Sequence, residues 1–310
     1  MIENLLIFAF SLFLVIKGAT FATRYAARLA ESFRLSKYTI GFIVVAVISI
    51  LPEMFIALNA AGEGVPEFGL SVLFGSNVAD LTLLFAAVIF LAGRGIKIES
   101  KILKNNTGYP FLLLLPLVLG LDGYLSRLEG AALVITGAVF YYIAFKNGHT
   151  ALTPARRDTG GRLKNLLLLL CGMATLLLGA HFTVTSATDL ASILKVSPIL
   201  IGMLVVGLGT TLPEFFFALK SAKKNNDDLA VGDILGTVLA DATVVVGLLA
   251  LASPFAFPTK IIYVTGVFMV GAAVALFRFM RSGRALTKKE GYMLFVFWLM
   301  FVLVEFMVNR

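Results

Sequence analysis

The chain has 310 residues, of which 59% are hydrophobic and 14% are charged, and its mean hydropathy is +0.95. A soluble domain carries about a quarter charged residues, so this composition excludes an ordinary soluble protein and indicates a membrane protein. The net charge is +8, and the single cysteine, Cys171, excludes both an intrachain disulfide and a multi-cysteine metal site.

Apolar stretches long enough to cross a bilayer, which takes about 20 helical residues, recur along the chain. In chain order they are residues 4–30, 38–61, 68–93, 108–124, 128–146, 163–190, 197–222, 229–252, 259–279 and 289–308. The short alternating segments typical of membrane-spanning strands are absent. The sequence therefore predicts an all-α membrane protein with ten transmembrane helices.

Basic residues are concentrated in alternate loops of this predicted topology. The loops on one side contain 21 of the 26 lysines and arginines, and those on the other side contain four. By the positive-inside rule, both termini are expected outside. The basic loops thus have a topological explanation, and we expect the lipid bilayer but no nucleic acid as a partner.

The chain contains an internal repeat at one constant offset. Residues 33–58 align without a gap with residues 194–219, and eleven of these 26 positions are identical. Each half then has five spans, and this odd number inverts the second half. We predict a first five-helix repeat over 1–146, a cytoplasmic linker over 147–162 and a second, inverted repeat over 163–310. Transporters built in this way bind their ions near the midplane, where the repeats meet.

Four acids lie within predicted spans and are related in pairs by the repeat: Glu53 with Glu214, and Asp80 with Asp241. A charged side chain at the bilayer centre costs about 2.5–3.5 kcal/mol on insertion scales. No lysine or arginine occurs at matching depth in these spans to offset the cost. The pattern favours a cation or proton site over a salt bridge or permanently protonated structural acids.

The neighbours of these acids are oxygen-rich. Each glutamate follows Leu-Pro, and proline breaks a helix and frees backbone carbonyls. A hydroxyl lies four residues before each aspartate, on the same helix face. Carboxylates, hydroxyls and carbonyls are the ligands of Ca²⁺ and equally suit Na⁺, whereas the histidine and cysteine clusters that transition metals prefer are absent.

The sequence leaves two further acids outside this pattern. Asp233 lies on the same helix face as Asp241, where it either guides cations from the basic side or interacts with the helix N-terminus. Glu305 is close to the end of the last span and is expected at the membrane interface.

The paired segments resemble the two alpha repeats of the Na⁺/Ca²⁺ exchanger family, prokaryotic type, within the Ca²⁺/cation antiporter superfamily. The second repeat is the close match, with GTTLPEFFFAL at 209–219 and GDILGTVLADATVVVGL at 232–248. The first is looser, with ILPEMFIAL at 50–58 and GSNVADLTLLF at 75–85. The resemblance implies ten helices, of which the second, third, seventh and eighth surround the ions, and a prokaryotic plasma membrane location.

The resemblance also implies the ligands. Glu53 and Glu214 would be the central Ca²⁺ ligands, and Asp80 and Asp241 would flank them. The remaining implied ligands contribute hydroxyl or carbonyl oxygens: Ser49, Ser76, Thr210, Thr211 and Thr237, with the backbone carbonyls of Ala46 and Gly207.

Two positions depart from the family pattern. Ile50 replaces a residue with a side-chain oxygen, which weakens one expected Na⁺ site of the first half. Asp80 stands where the family often has asparagine, so the centre holds an extra acid whose charge a cation or a proton must balance. The driving ion therefore stays open between Na⁺ and H⁺, with Asp80 as the proton carrier in the second case.

The leading functional hypothesis is secondary active antiport of Ca²⁺ against Na⁺ by alternating access, with small inorganic cations as the transported partners and no cofactor. An H⁺-coupled divalent cation exchanger is the nearest alternative. An intramembrane enzyme is a distant alternative, because such enzymes place their acids asymmetrically or in aspartate-rich loops. A passive channel would show no counter-ion dependence.

Overall fold

The computed structural model describes residues 2–30, 49–98, 108–147, 162–283 and 285–309, and these are mostly helical. The helices in chain order are α1 Ile2–Ala30, α2 Leu51–Gly62, α3 Pro66–Ala92, α4 Tyr109–Leu119, α5 Arg127–Asn147, α6 Arg162–Leu194, α7 Pro198–Lys223, α8 Asp227–Ala252, α9 Ile261–Ser282 and α10 Lys288–Asn309.

Eight of these helices are long and apolar enough to cross a membrane, so the chain is a helical membrane protein. The two others account for the difference from the predicted number of spans. Helix α4 has 11 residues, because the chain turns at Gly120 and enters a short strand within the predicted span 108–124. Helix α2 follows residues 38–48, which lie outside the described residues. The count of ten spans stays a prediction.

The central helices are not regular. Helix α3 has a π-helical turn at Asp80–Leu84, and helix α8 has one at Asp241–Val245, the positions that the repeat relates to it. A threonine in each turn donates its hydroxyl to the carbonyl four residues back: Thr82 to Val78 at 2.5 Å and Thr243 to Leu239 at 2.6 Å. That carbonyl would otherwise bond the threonine's own amide, so the side chain competes with the regular helix.

The structure also contains strands, which the all-α prediction did not include. Strand β1 (Ile96–Lys97) pairs with β4 (Ala285–Leu286), and β2 (Tyr124–Leu125) pairs with β3 (Phe255–Ala256), both antiparallel. Each strand has two residues, too few to show any periodicity in the sequence. The two ladders tie loops of the first half to loops of the second half.

Helices α1 and α6 pack antiparallel against each other along their length. Small residues permit this contact: the Cα of Gly18 faces the backbone of Gly172 and Leu176, and Gly179 faces Ser11. Ser11 also accepts a hydrogen bond from Thr183 at 3.1 Å. In contrast, α3 and α8 are the most buried spans, so they form the centre of the molecule.

Candidate cation site

Both glutamates lie directly after a break in a helix. Helix α2 begins at Leu51 after a turn at Ile50, and the second part of α7 begins at Leu212 after a turn at Thr211. Proline in the first turn explains these starts, since its missing amide is tolerated there. Glu53 and Glu214 are consequently in the first turn of a helix segment, where amide groups favour negative charge.

Both aspartates begin a π-helical turn. Asp80 and Asp241 are the first residues of the turns in α3 and α8, at the junction with the preceding α-helix. Turns of this kind occur frequently at functional sites, because they redirect side chains and release a backbone carbonyl. The four repeated acids thus all lie at irregular points of buried helices.

Each of the four acids is buried and lies within electrostatic range of at least two of the others. Glu53, Glu214 and Asp241 are 0% exposed and Asp80 is 1% exposed. The charges of Glu53 and Asp80 act on both Glu214 and Asp241. None of the eight carboxylate oxygens has a hydrogen-bond partner among the described residues. Buried carboxylates without partners are costly, so these four acids are candidates for binding cations or protons.

Close backbone contacts bring α3 against α7. A Cβ atom at Gly75 would lie 2.4 Å from the carbonyl oxygen of Met203, and one at Gly207 would lie 3.1 Å from the amide nitrogen of Ser76. The approach at Gly75 requires glycine, whereas the one at Gly207 would be tight for a larger residue. The close approach at Gly75 lies between the helices that contain Asp80 and Glu214.

The structure places the other predicted ligands as follows. Ser49, Ser76, Thr210 and Thr237 are 0% exposed, and Thr211 is 5% exposed. Ser76 donates to the carbonyl of Leu73, Thr210 to that of Gly207 and Thr211 to that of Leu208, whereas Thr237 has no side-chain partner among the described residues. The predicted ligand Ala46 lies outside the described residues. The roles of all these residues as ligands stay predictions.

The donor set fits a hard cation bound by few carboxylates. Within the described residues, no group of three or more histidine, cysteine, aspartate or glutamate side chains is arranged to hold a metal ion. A cation here would take at most two carboxylates together with hydroxyl and carbonyl oxygens. Na⁺ and Ca²⁺ accept such ligands, and transition metals do not favour them.

Asp233 belongs to this site, although sequence reasoning left its role open. It is 0% exposed, accepts a hydrogen bond of 3.1 Å from Ser49, and acts electrostatically on Asp80 and Glu214. It has no acidic counterpart in the first half, where the repeat-related residue is Val72, so comparison of the repeats did not select it.

Two tyrosines that sequence reasoning missed position helix α8. Tyr109 of α4 donates its hydroxyl to the carbonyl of Leu235, and Tyr141 of α5 donates to that of Gly236 at 2.5 Å. These carbonyls precede the π-helical turn that begins at Asp241. No sequence pattern indicated the contacts, because they join residues of separate helices that are far apart in the chain.

Glu305, which we expected at the membrane interface, is buried within the protein, and its depth in the membrane stays a prediction. It is 0% exposed and accepts hydrogen bonds from Thr265 at 2.5 Å and from Asn309 at 2.6 Å. These two partners compensate for its burial within the pair α9 and α10, so Glu305, unlike the four repeated acids, is fully paired.

Comparisons with known proteins agree with this geometry. The family model described as "Sodium/calcium exchanger protein" matches residues 3–146 and 164–307. The sodium/calcium exchanger MaX1 of Methanosarcina acetivorans is 23% identical, with 98% of this chain and 99% of the relative covered. An uncharacterized membrane protein of Methanocaldococcus jannaschii is 27% identical, with 80% of each covered.

A structure of the sodium-calcium exchanger NCX_Mj superposes with a TM-score of 0.72 at 23% identity, covering 96% of this chain and 97% of that one. At this identity the likeness shows the fold. Because the family model matches most of both halves, the chain belongs to the sodium/calcium exchanger protein family, whose members are membrane cation antiporters and not enzymes.

Proposed function

We propose that this protein exchanges Ca²⁺ for Na⁺ across the membrane by alternating access. The observation that carries the proposal is the set of four buried carboxylates, related by the repeat, whose oxygens have no partner among the described residues. Glu53 and Glu214 would bind Ca²⁺, with Asp80 and Asp241 beside them. The neutral oxygens predicted from the sequence would complete the coordination of Ca²⁺ and of Na⁺. We expect no cofactor.

Obligatory exchange follows from electrostatics. An empty site would leave several carboxylates unpaired in a low-dielectric interior, which costs many kcal/mol unless protons or cations are taken up. The protein would therefore change conformation readily with Ca²⁺ or Na⁺ bound and only slowly when empty. Exchange is favoured over leak for this reason.

We further propose that the fold is a ten-helix inverted repeat with both termini outside. Helix and π-turn positions support it, since α2, the first part of α3 and the Asp80–Leu84 turn recur at the offset of the repeat. Capping hydrogen bonds recur in the same way: Glu129 accepts from the amide of Ser126, and Glu290 from that of Thr287, both at 2.7 Å. The excess of lysines and arginines in the loops on one side supports the orientation with both termini outside.

Alternating access is supported by a difference between two regions that the repeat relates. One lies between α1 and α7, and the other lies between α6 and α2. Among the described residues, a cavity of about 650 Å³ lies between α1 and α7 at the basic side, and its lining includes Thr20 and Lys224. The residues related to these by the repeat are His181 and Glu63. They are in contact, with Nδ1 3.5 Å from Oε1, where α6 packs more extensively on α2 than α1 does on α7. A cavity in one region and a side-chain contact at the related position is an asymmetry that a single state of such a carrier would have.

The test is Ca²⁺ flux into sealed proteoliposomes that contain the purified protein. Vesicles loaded with Na⁺ at symmetric pH should accumulate Ca²⁺, and vesicles with a pH gradient but no Na⁺ should not. Glu214→Gln should abolish uptake, whereas Glu305→Gln, which changes a buried acid outside the site, should retain it. Uptake that is driven only by the pH gradient would assign the protein to H⁺-coupled exchange instead, and uptake that needs no counter-ion would refute antiport.

A further inference from the structure

Asp233 is a buried carboxylate in addition to the four repeated acids, and it has no acidic counterpart in the first half. It lies in the second turn of α8 and is 0% exposed. Its Oδ1 accepts the hydrogen bond from Ser49, and its Oδ2 has no partner among the described residues. An interaction with the amides of the helix N-terminus does not explain it, because Asp233 is the seventh residue of α8 and its bonded oxygen, Oδ1, accepts from Ser49.

The position of Asp233 is on the basic side of the site. It precedes Asp241 by eight residues, which corresponds to about 12 Å along an α-helix. The first part of α8, which contains Asp233, contacts the π-helical turn that begins at Asp80. Asp233 also acts electrostatically on Glu214. Its free oxygen therefore lies among the carboxylates of the site and not on a separate surface.

The repeat shows what Asp233 replaces. The constant offset relates Ser49 and Ile50 to Thr210 and Thr211, so the second half has two adjacent hydroxyls where the first half has one. Ile50 is buried, at 5% exposure, and offers no side-chain oxygen. Asp233, which belongs to the second half, places its carboxylate directly against the Ser49 hydroxyl that the first half retains.

The hydroxyls of Ser49 and Thr210, which the repeat relates, make different contacts because only Ser49 has an aspartate beside it. Thr210 donates to the carbonyl of Gly207 in its own helix at 2.9 Å, and the residue related to Asp233, Val72, offers no acceptor side chain. Ser49 instead donates across the interface between the two halves, to Asp233. Ser49 therefore has a carboxylate acceptor from the opposite half, whereas Thr210 has a backbone acceptor in its own helix.

We propose that Asp233 is a cation ligand that, with Ser49 and Asp80, forms a subsite for a monovalent cation at the basic-side end of the site. It compensates for the oxygen missing at Ile50. This inference rests on the proposed function and names the residues that bind Na⁺. When the cation binds, the Ser49 hydroxyl turns its proton away and presents a lone pair, and the free Oδ2 of Asp233 supplies the charge.

The decisive variant is Asp233→Asn, which keeps the side-chain shape and an acceptor for Ser49 but removes the charge. In proteoliposomes, the Na⁺ concentration for half-maximal exchange should rise about tenfold, equivalent to about 1.4 kcal/mol, and the Hill coefficient for Na⁺ should fall by about one. Binding of Ca²⁺ without Na⁺ should change by less than about twofold. Glu305→Gln, the matched loss of a buried acid, should alter none of these three quantities.

A rescue variant separates ligation from structure. Adding Ile50→Ser to Asp233→Asn returns an oxygen to the first half and should recover part of the Na⁺ affinity, which a purely structural role would not allow. If Asp233→Asn does not fold, Ser49→Ala removes the other side chain and should produce the same selective loss for Na⁺.

Unchanged Na⁺ dependence in whichever of these variants folds would overturn the inference, as would equal losses for Na⁺ and Ca²⁺. These outcomes leave the proposed function intact if Glu214→Gln still abolishes exchange. If the native protein shows no Na⁺-driven Ca²⁺ flux, the proposed function fails. The subsite is then judged by binding of radioactive Na⁺ to purified protein, where equal binding by the native protein and Asp233→Asn overturns it.

Discussion

The contact between α3 and α7 at Gly75 provides a sharp test of how the site is held together. In Gly75→Ala the new methyl group would lie 2.4 Å from the carbonyl oxygen of Met203 and 2.8 Å from its Cα, whereas ordinary contacts begin at 3.4 Å. The two helices must therefore separate by about 1 Å at this point, because movement of the Met203 side chain would relieve its Cγ contact but not the contacts with its carbonyl oxygen and Cα.

Overpacking of this kind costs about 1–3 kcal/mol. If the helices relieve this strain by moving apart at the cation site, the overpacking cost corresponds to about a 5- to 150-fold loss in cation affinity. We expect Ca²⁺ binding to weaken within this range and the unfolding temperature to fall by several degrees, at about 2–4 °C per kcal/mol.

The assay combines Ca²⁺ binding by calorimetry with thermal unfolding in detergent. The matched control is Gly62→Ala at the end of α2, where a new methyl group would meet no described atom within 4 Å. The reasoning is refuted if Gly75→Ala binds Ca²⁺ and unfolds like the native protein and this control. A loss in both variants alike would show that the contact with Met203 is not the cause.

Three further substitutions test interactions that support the site. Tyr141→Phe removes the hydrogen bond to the carbonyl of Gly236 and should destabilise the fold by about 1–2 kcal/mol, measured by unfolding; an unchanged midpoint would contradict the role of this contact. Asp227→Asn weakens a two-pronged ion pair with Arg94, whose side chain is 32% exposed. A modest loss of about 1–2 kcal/mol in the free energy of unfolding is expected, and an unchanged value at every salt concentration would refute it. Glu305→Ala removes the carboxylate that accepts hydrogen bonds from Thr265 and Asn309 and should cost about 2–3 kcal/mol, while Na⁺-driven exchange by the remaining folded protein continues. Loss of exchange alone would place Glu305 in the transport pathway.

Much of the architecture follows from local properties of the sequence. Hydropathy marks the spans because the bilayer requires long apolar helices, and the constant offset relates the two halves because they carry the same motifs. The four repeated acids stand out since charge within a span is costly. Breaks next to Glu53 and Glu214 are likewise encoded locally, by the preceding proline.

Other features depend on the packing of distant segments. In the irregular turns at Asp80 and Asp241 a threonine hydroxyl competes for a backbone carbonyl, which a hydropathy pattern does not show. The strand ladders join loops that the prediction treated as connections only. The domain boundaries and the ligand roles of the site residues stay predictions.

The sequence by itself determined that this protein is a helical membrane protein with a duplicated motif and four costly acids, because each of these features resides in short stretches of chain. Only the tertiary structure decided which other groups join those acids. Ser49 and Asp233 are 184 residues apart and come together because the chain just before α2 packs against α8. Pairing across such a distance depends on the relative placement of helices, which no local pattern specifies.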